Sequence, residues 1–113
     1  MHNLEEELKQ LNNHSSLKDI QTYINKMIEE RGFDNETPQD VMLLLTEEVG
    51  ELAKEIRKST QIKMDVTKSR ESDVSGEIAD VFMYILSMCR VMNIDLLEAL
   101  KEKEERNLRR TWK

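Results

Sequence analysis

Apolar residues recur at intervals of three and four along most of this chain, and no stretch alternates between apolar and polar positions in the manner of a half-buried strand. That periodicity predicts an all-α protein. Leu4, Leu8 and Leu11 mark a short first segment ending at Asn12-Asn13, which the pattern leaves as either a helix or an arm. A firmer helix is expected from about Ser16 to Arg31. Ser16 is its cap, Asp19 follows three residues later, Leu17, Ile20, Ile24, Met27 and Ile28 make its stripe, and Gly32 stops it. Thr37 caps the next helix, with Pro38 in its first turn and Asp40 closing a box, and the apolar period carries it to about Lys58. Ser59 to Asp73 has no apolar face and reads as a loop. A third long helix spans about Val74 to Val91, Asn93-Ile94 turns the chain, and Asp95 with Glu98 caps a last helix running toward Arg110. The predicted organisation is residues 1–15 as an arm or short helix and 16–113 as one helical domain.

On a wheel of about 100° per residue, Val81, Ile85, Met88 and Met92 of the third long helix form one line, flanked by Ile78, Phe82 and Cys89. Twelve of the fifteen residues from Ile78 to Met92 are apolar, so this helix is expected to be buried on most sides. Yet Glu77 and Asp80 sit in its first turns, beside Val81 and Tyr84. The preceding helix repeats the anomaly: its stripe is Val41, Leu45, Val49, Leu52 and Ile56, with Glu48 at the edge and Glu51 just beyond.

Spacing alone does not single these acids out. With 23 acidic residues, about four to five acidic pairs three apart arise by chance, and the chain has four. Asp95 with Glu98 is a helix-start box, and Glu102 with Glu105 is a solvated face. Glu48 with Glu51 and Glu77 with Asp80 differ because they lie in the most apolar part of the chain. If the two pairs face one another, their mutual repulsion would rival the net stability of a small domain, and a divalent cation removes that cost. Oxygen-only ligation without His or Cys suits Mg²⁺, with Mn²⁺ possible.

Composition narrows the function classes. A chain of 113 residues with net charge −6 is expected to be one domain that avoids nucleic acid polymers and anionic membranes, and whose anionic substrate needs a bound cation as a bridge. The lone Cys89 sits in an apolar helix and reads as a core side chain, which suits the reducing cytoplasm. No apolar run approaches the roughly 18 residues that span a bilayer. On the last helix the apolar face of Leu96 and Ala99 continues as Lys103, Asn107 and Arg110, so cations aligned with an inward stripe are candidates to grip phosphates. The same cations also complement the helix dipole.

The run Leu44-Leu45-Thr46-Glu47-Glu48-Val49-Gly50-Glu51-Leu52, followed by Gly76-Glu77-Ile78-Ala79-Asp80-Val81, resembles the MazG-like all-α nucleoside triphosphate pyrophosphohydrolases over roughly Leu17 to Trp112. Those proteins carry E-E-x-x-E, a spacer and E-x-x-D. The resemblance implies Glu48, Glu51, Glu77 and Asp80 as Mg²⁺ ligands and Glu47 as the residue that orients water or accepts its proton. It also implies Lys103, Asn107 and Arg110 as phosphate or sugar contacts, and Phe33 as a residue near the base. One departure is Val74, where MazG itself often has Lys; Lys63, Lys68 or Arg70 in the loop are the candidates to replace it.

The fold so implied is four-helix-bundle-like. The implied activity is Mg²⁺-dependent cleavage of a nucleoside triphosphate to monophosphate and pyrophosphate, in nucleotide-pool sanitation or regulation. A noncatalytic helical dimer or adaptor with acidic surface clusters is the alternative. A homodimer or homotetramer is expected, because three short neighbours cannot cover the apolar circumference from Ile78 to Met92.

Overall fold

The computed structural model describes residues 3–60 and 73–110, and among them the backbone forms helices and no strand. In chain order these are α1 (Leu4–Gln10), α2 (Leu17–Glu30), α3 (Pro38–Thr60), α4 (Val74–Val91) and α5 (Leu96–Leu108). The capping residues read from the sequence do their expected work. Asp19 N–H donates to Ser16 Oγ at 3.0 Å and Ser16 N–H to Asp19 Oδ2 at 2.9 Å, while Thr37 and Asp40 exchange the same pair of bonds at the start of α3. α3 outruns its expected end by two residues, because the hydroxyls of Ser59 and Thr60 fold back to donate to the Ile56 carbonyl. The remainder of the expected loop, with Lys63, Lys68 and Arg70, lies outside the described residues, as does Trp112.

α2 and α4 end in the same way. Past α2, Gly32 takes a left-handed φ of 74°, Phe33 N–H reaches Ile28 O at 2.9 Å and Gly32 N–H reaches Glu29 O at 3.1 Å. Past α4, Asn93 takes φ 55°, with Ile94 N–H on Cys89 O and Asn93 N–H on Arg90 O. A Cβ on Gly32 would meet nothing within 4 Å, so any penalty there is backbone strain alone. Gly32→Ala is expected to destabilise the fold by about 1–2 kcal/mol in chemical denaturation. An unchanged midpoint would show that the turn tolerates another conformation.

The core is small. Ile24, Met27 and Ile28 of α2 close on Leu86 of α4, with Leu4, Ile20, Tyr23, Met83 and Leu96 packed around them. Cys89 is buried, as expected, and burial raises its thiol pKa. The single chain covers only part of α4's apolar circumference, less than the sequence pattern predicts. Leu86 and Cys89 are the buried positions, whereas Ile78, Phe82, Ile85 and Met92 are open to solvent in the single chain, and Val49 and Ile56 of α3 are open too. The wheel identified how apolar the helix is but not which part of its circumference α2 and α3 cover.

α3 and α4 make the most extensive helix pair and run antiparallel. Glu55, near the end of α3, accepts from Asp73 N–H at 3.2 Å and from Lys58 Nζ at 3.2 Å, and these two bonds, the backbone one first, hold its carboxyl below the usual range. Glu55 therefore pins the start of α4 to α3. α5 is anchored at its beginning: Gln21 donates to Ile94 O and accepts from Leu96 N–H, and Leu96 joins the core. No residue of α5 is fully buried.

Candidate active site

The register of the α3–α4 pair explains why acids distant in sequence meet. With Glu55 opposite Asp73, each step back along α3 is matched by a step forward along α4, which brings Glu48 level with Asp80 and Glu51 level with Glu77. One carboxylate oxygen from each of Glu48, Glu77 and Asp80 lies within 4.8 Å of the others. All three are half-buried. Glu51 is exposed and outside this trio, although its charge reaches Glu77.

Glu77 is the most perturbed member. Burial, the Glu48 carboxylate beside it, and the charges of Glu48, Asp80 and Glu51 together push its pKa up to about 7. Its Oε2 is buried without a hydrogen-bond partner. A buried acceptor surrounded by other carboxylates has lost its water and gained no donor, a condition that a proton or a metal cation relieves. The donor set is oxygen-only, and it fits a hard divalent ion. Gly76 precedes Glu77 for a local reason: a Cβ there would collide with the Asp73 carboxylate that caps α4 by accepting from Gly76 N–H at 3.0 Å.

A pocket of about 320 Å³ opens beside the trio. Met27, Ile28, Leu44 and Met83 supply its apolar walls, and Arg31, Phe33, Glu36, Tyr84 and Asp80 supply its aromatic and polar lining. Asp80 thus belongs to both the acid trio and the pocket. The Tyr84 hydroxyl has its pKa raised, by burial first and then by the charges of Glu48, Glu36, Asp80 and Glu47.

A family model, the MazG nucleotide pyrophosphohydrolase domain, matches residues 36–111. The chain belongs to the MazG family. Among solved structures, the crystal structure of the "putative pyrophosphatase YPJD" from Bacillus subtilis is similar to it, with a TM-score of 0.72 and 27% sequence identity over 88% of this chain and 100% of that one. No curated protein matches. The all-helical MazG-like fold and a nucleotide pyrophosphohydrolase activity follow from the family and its structural neighbour.

Within this MazG chain the residues singled out from sequence fall into three groups. Glu48, Glu77 and Asp80 are brought together. Glu47 and Glu51 are exposed on α3 next to them, and Phe33 is half-exposed in the pocket lining. Lys103 and Asn107 lie on α5 and Arg110 two residues past its end, and none of the three lines the pocket. Asn107 Nδ2 donates to Glu104 at 3.4 Å on its own helix. Sequence reasoning gave no role to Arg31, Glu36, Tyr84 or Glu55. Tyr84 was within reach, being one helical turn past Asp80, whereas Glu55 looks like any surface partner of Lys58.

Proposed function

We propose that this protein hydrolyses a nucleoside triphosphate between its α and β phosphates, with Mg²⁺ or Mn²⁺ bound by Glu48, Glu77 and Asp80 and with Glu51 completing the set. The observation that carries the reading is the buried, unpaired Glu77 oxygen inside a trio of carboxylates at the edge of a pocket large enough for a nucleoside. When bound, the cation supplies charge to neutralise the phosphates and to acidify water. The acids of the chain would hold the cation to which the phosphate end binds, and the pocket past Asp80 takes the nucleoside, with Phe33 at the base. Glu47, exposed beside Glu48, is assigned the acceptance of the water's proton.

The direct test is incubation of the purified protein with each (d)NTP and Mg²⁺ and resolution of the products. Monophosphate plus pyrophosphate supports the reading; no release from any nucleotide overturns it and favours the noncatalytic helical adaptor.

Lys103, Asn107 and Arg110 are assigned to phosphate or sugar contacts in the site of a neighbouring subunit. The support is twofold. No residue of α5 is buried in the single chain, and the radius of gyration, 17.4 Å, exceeds the roughly 13 Å of a compact domain this long. Ile78, Phe82 and Ile85 on α4 and Met92 just past its end, with Val49 and Ile56 on α3, are exposed apolar residues of the kind a second copy covers. Light scattering is expected to return at least twice 13.3 kDa at micromolar concentration. Phe82→Glu is expected to reduce that mass to the monomer's and to abolish turnover, while a monomeric wild type overturns the assignment. Cytoplasmic nucleotide-pool sanitation is the proposed role. A free buried cysteine is consistent with that location, and no described helix is long and apolar enough to cross a membrane.

A further inference from the structure

The pocket beside Asp80 carries more information than a place to put a base. Two of its lining side chains bear opposite full charges, Arg31 and Glu36, and among the described residues neither forms an ion pair or a side-chain hydrogen bond. They flank Phe33 on a short turn whose ends are both fastened. The left-handed stop at Gly32 fixes the Arg31 end through Phe33 N–H on Ile28 O. The Thr37–Asp40 box fixes the Glu36 end, and Glu36 N–H itself donates to Phe33 O at 3.3 Å. Glu36 is half-buried and lines the pocket together with Tyr84.

An aromatic side chain flanked by a fork of donors and a pure acceptor is a reader of base edges. Arg offers only donors, and an ionised Glu only acceptors. A base satisfies both when its edge carries an amino donor and a carbonyl or ring-nitrogen acceptor side by side. Cytosine, adenine and guanine do so. Uracil and thymine carry a single N–H between two carbonyls, so the carboxylate would face at least one lone pair that it cannot match. A volume of about 320 Å³ lies at the low end of ligand pockets and suits one nucleoside, not a whole triphosphate.

We infer that Glu36, with Arg31, makes this site select nucleotides whose base carries an exocyclic amino group over those of uracil and thymine. This rests on the nucleotide reading above. Its test separates the two, because the base pocket is probed by equilibrium binding of nucleoside monophosphates as well as by turnover. Calorimetric titration of the wild type is expected to show dCMP, dAMP and dGMP binding at least about tenfold more tightly than dTMP and dUMP. The same order is expected in kcat/KM for the triphosphates with Mg²⁺.

Glu36→Gln presents an amide that both donates and accepts, so the ratio is expected to fall toward one, chiefly because dTMP and dUMP bind better. Glu36 accepts no side-chain bond in the fold, and an unchanged melting curve is the check that the variant is intact. Equal affinity of the wild type for all five monophosphates, or a ratio unaltered in Glu36→Gln, overturns the inference while pyrophosphate release from any triphosphate leaves the catalytic reading standing. Selective monophosphate binding without any pyrophosphate release does the reverse.

Discussion

Glu48→Gln, Glu77→Gln and Asp80→Asn are each expected to slow pyrophosphate release by at least about a hundredfold, the scale of losing a well-placed divalent ion from a charged transition state. The three carboxylates converge within 4.8 Å and, on the function proposed above, act as one ligand set, so their losses should not add. A Glu48→Gln/Asp80→Asn double variant should be little slower than either single one. Glu105→Gln serves as the comparison, because Glu105 is an exposed residue of α5 whose nearest cation, Arg109, stands 3.9 Å away. Its rate should stay within about twofold of wild type. Loss of activity by unfolding is distinguishable. Removing one charge from a crowded acidic site relieves repulsion, so the Glu48→Gln protein should melt in chelator at or above the wild-type temperature. Normal turnover in all three acid variants would remove the trio from the mechanism, whatever their stability.

The second large effect is on stability and reverses sign with metal. In chelator, Glu77 has a folded-state pKa of about 7 against an ordinary 4.5. Between those values the folded protein therefore holds more protons than the unfolded chain. Stability must fall as pH rises through that window, being fully present below about 4.5 and lost by the time pH has passed about 7. Glu55 runs the other way, since its lowered pKa contributes stability above the ordinary carboxylate range. For that reason the comparison should be the difference between wild type and Glu77→Gln, in which the falling slope disappears.

With excess Mg²⁺ the ion would take the place of the proton, and the wild-type slope should turn upward through the same pH window. At a hundred times Kd the gain is about 2.7 kcal/mol, or a melting shift of about 10 °C for a domain of this size. A melting temperature indifferent to both Mg²⁺ and the Glu77 substitution would mean that the trio is ordinary surface charge.

How much of this was legible in the sequence depends on the range of the interaction. Ser16 with Asp19, Thr37 with Asp40, and Gly32 are decided within four residues of themselves, so helix starts and stops could be read directly. The end of α3 was missed by two residues because hydroxyl-to-carbonyl back-bonding at Ser59 and Thr60 leaves no apolar signal. Acids set in apolar stripes were visible too, since a wheel detects a residue out of keeping with its neighbours. A wheel has no record of which neighbours are present, so it could not tell that the chain buries Leu86 and Cys89 and leaves Ile78 and Ile85 open.

By itself, then, the sequence determined the helices, their caps and the presence of two acidic pairs in apolar surroundings, all consequences of local hydrogen bonding and helical period. Only the tertiary structure decided that Glu48 meets Glu77 and Asp80, that Arg31 and Glu36 line a pocket reaching Asp80, and that Lys103, Asn107 and Arg110 are absent from its lining. Those outcomes rest on the register between α3 and α4 and on where α5 is tethered. Register is set by contacts such as Glu55 with Asp73 and Gln21 with Leu96, between residues 18 and 75 positions apart, whose pairing has no periodic trace along the chain.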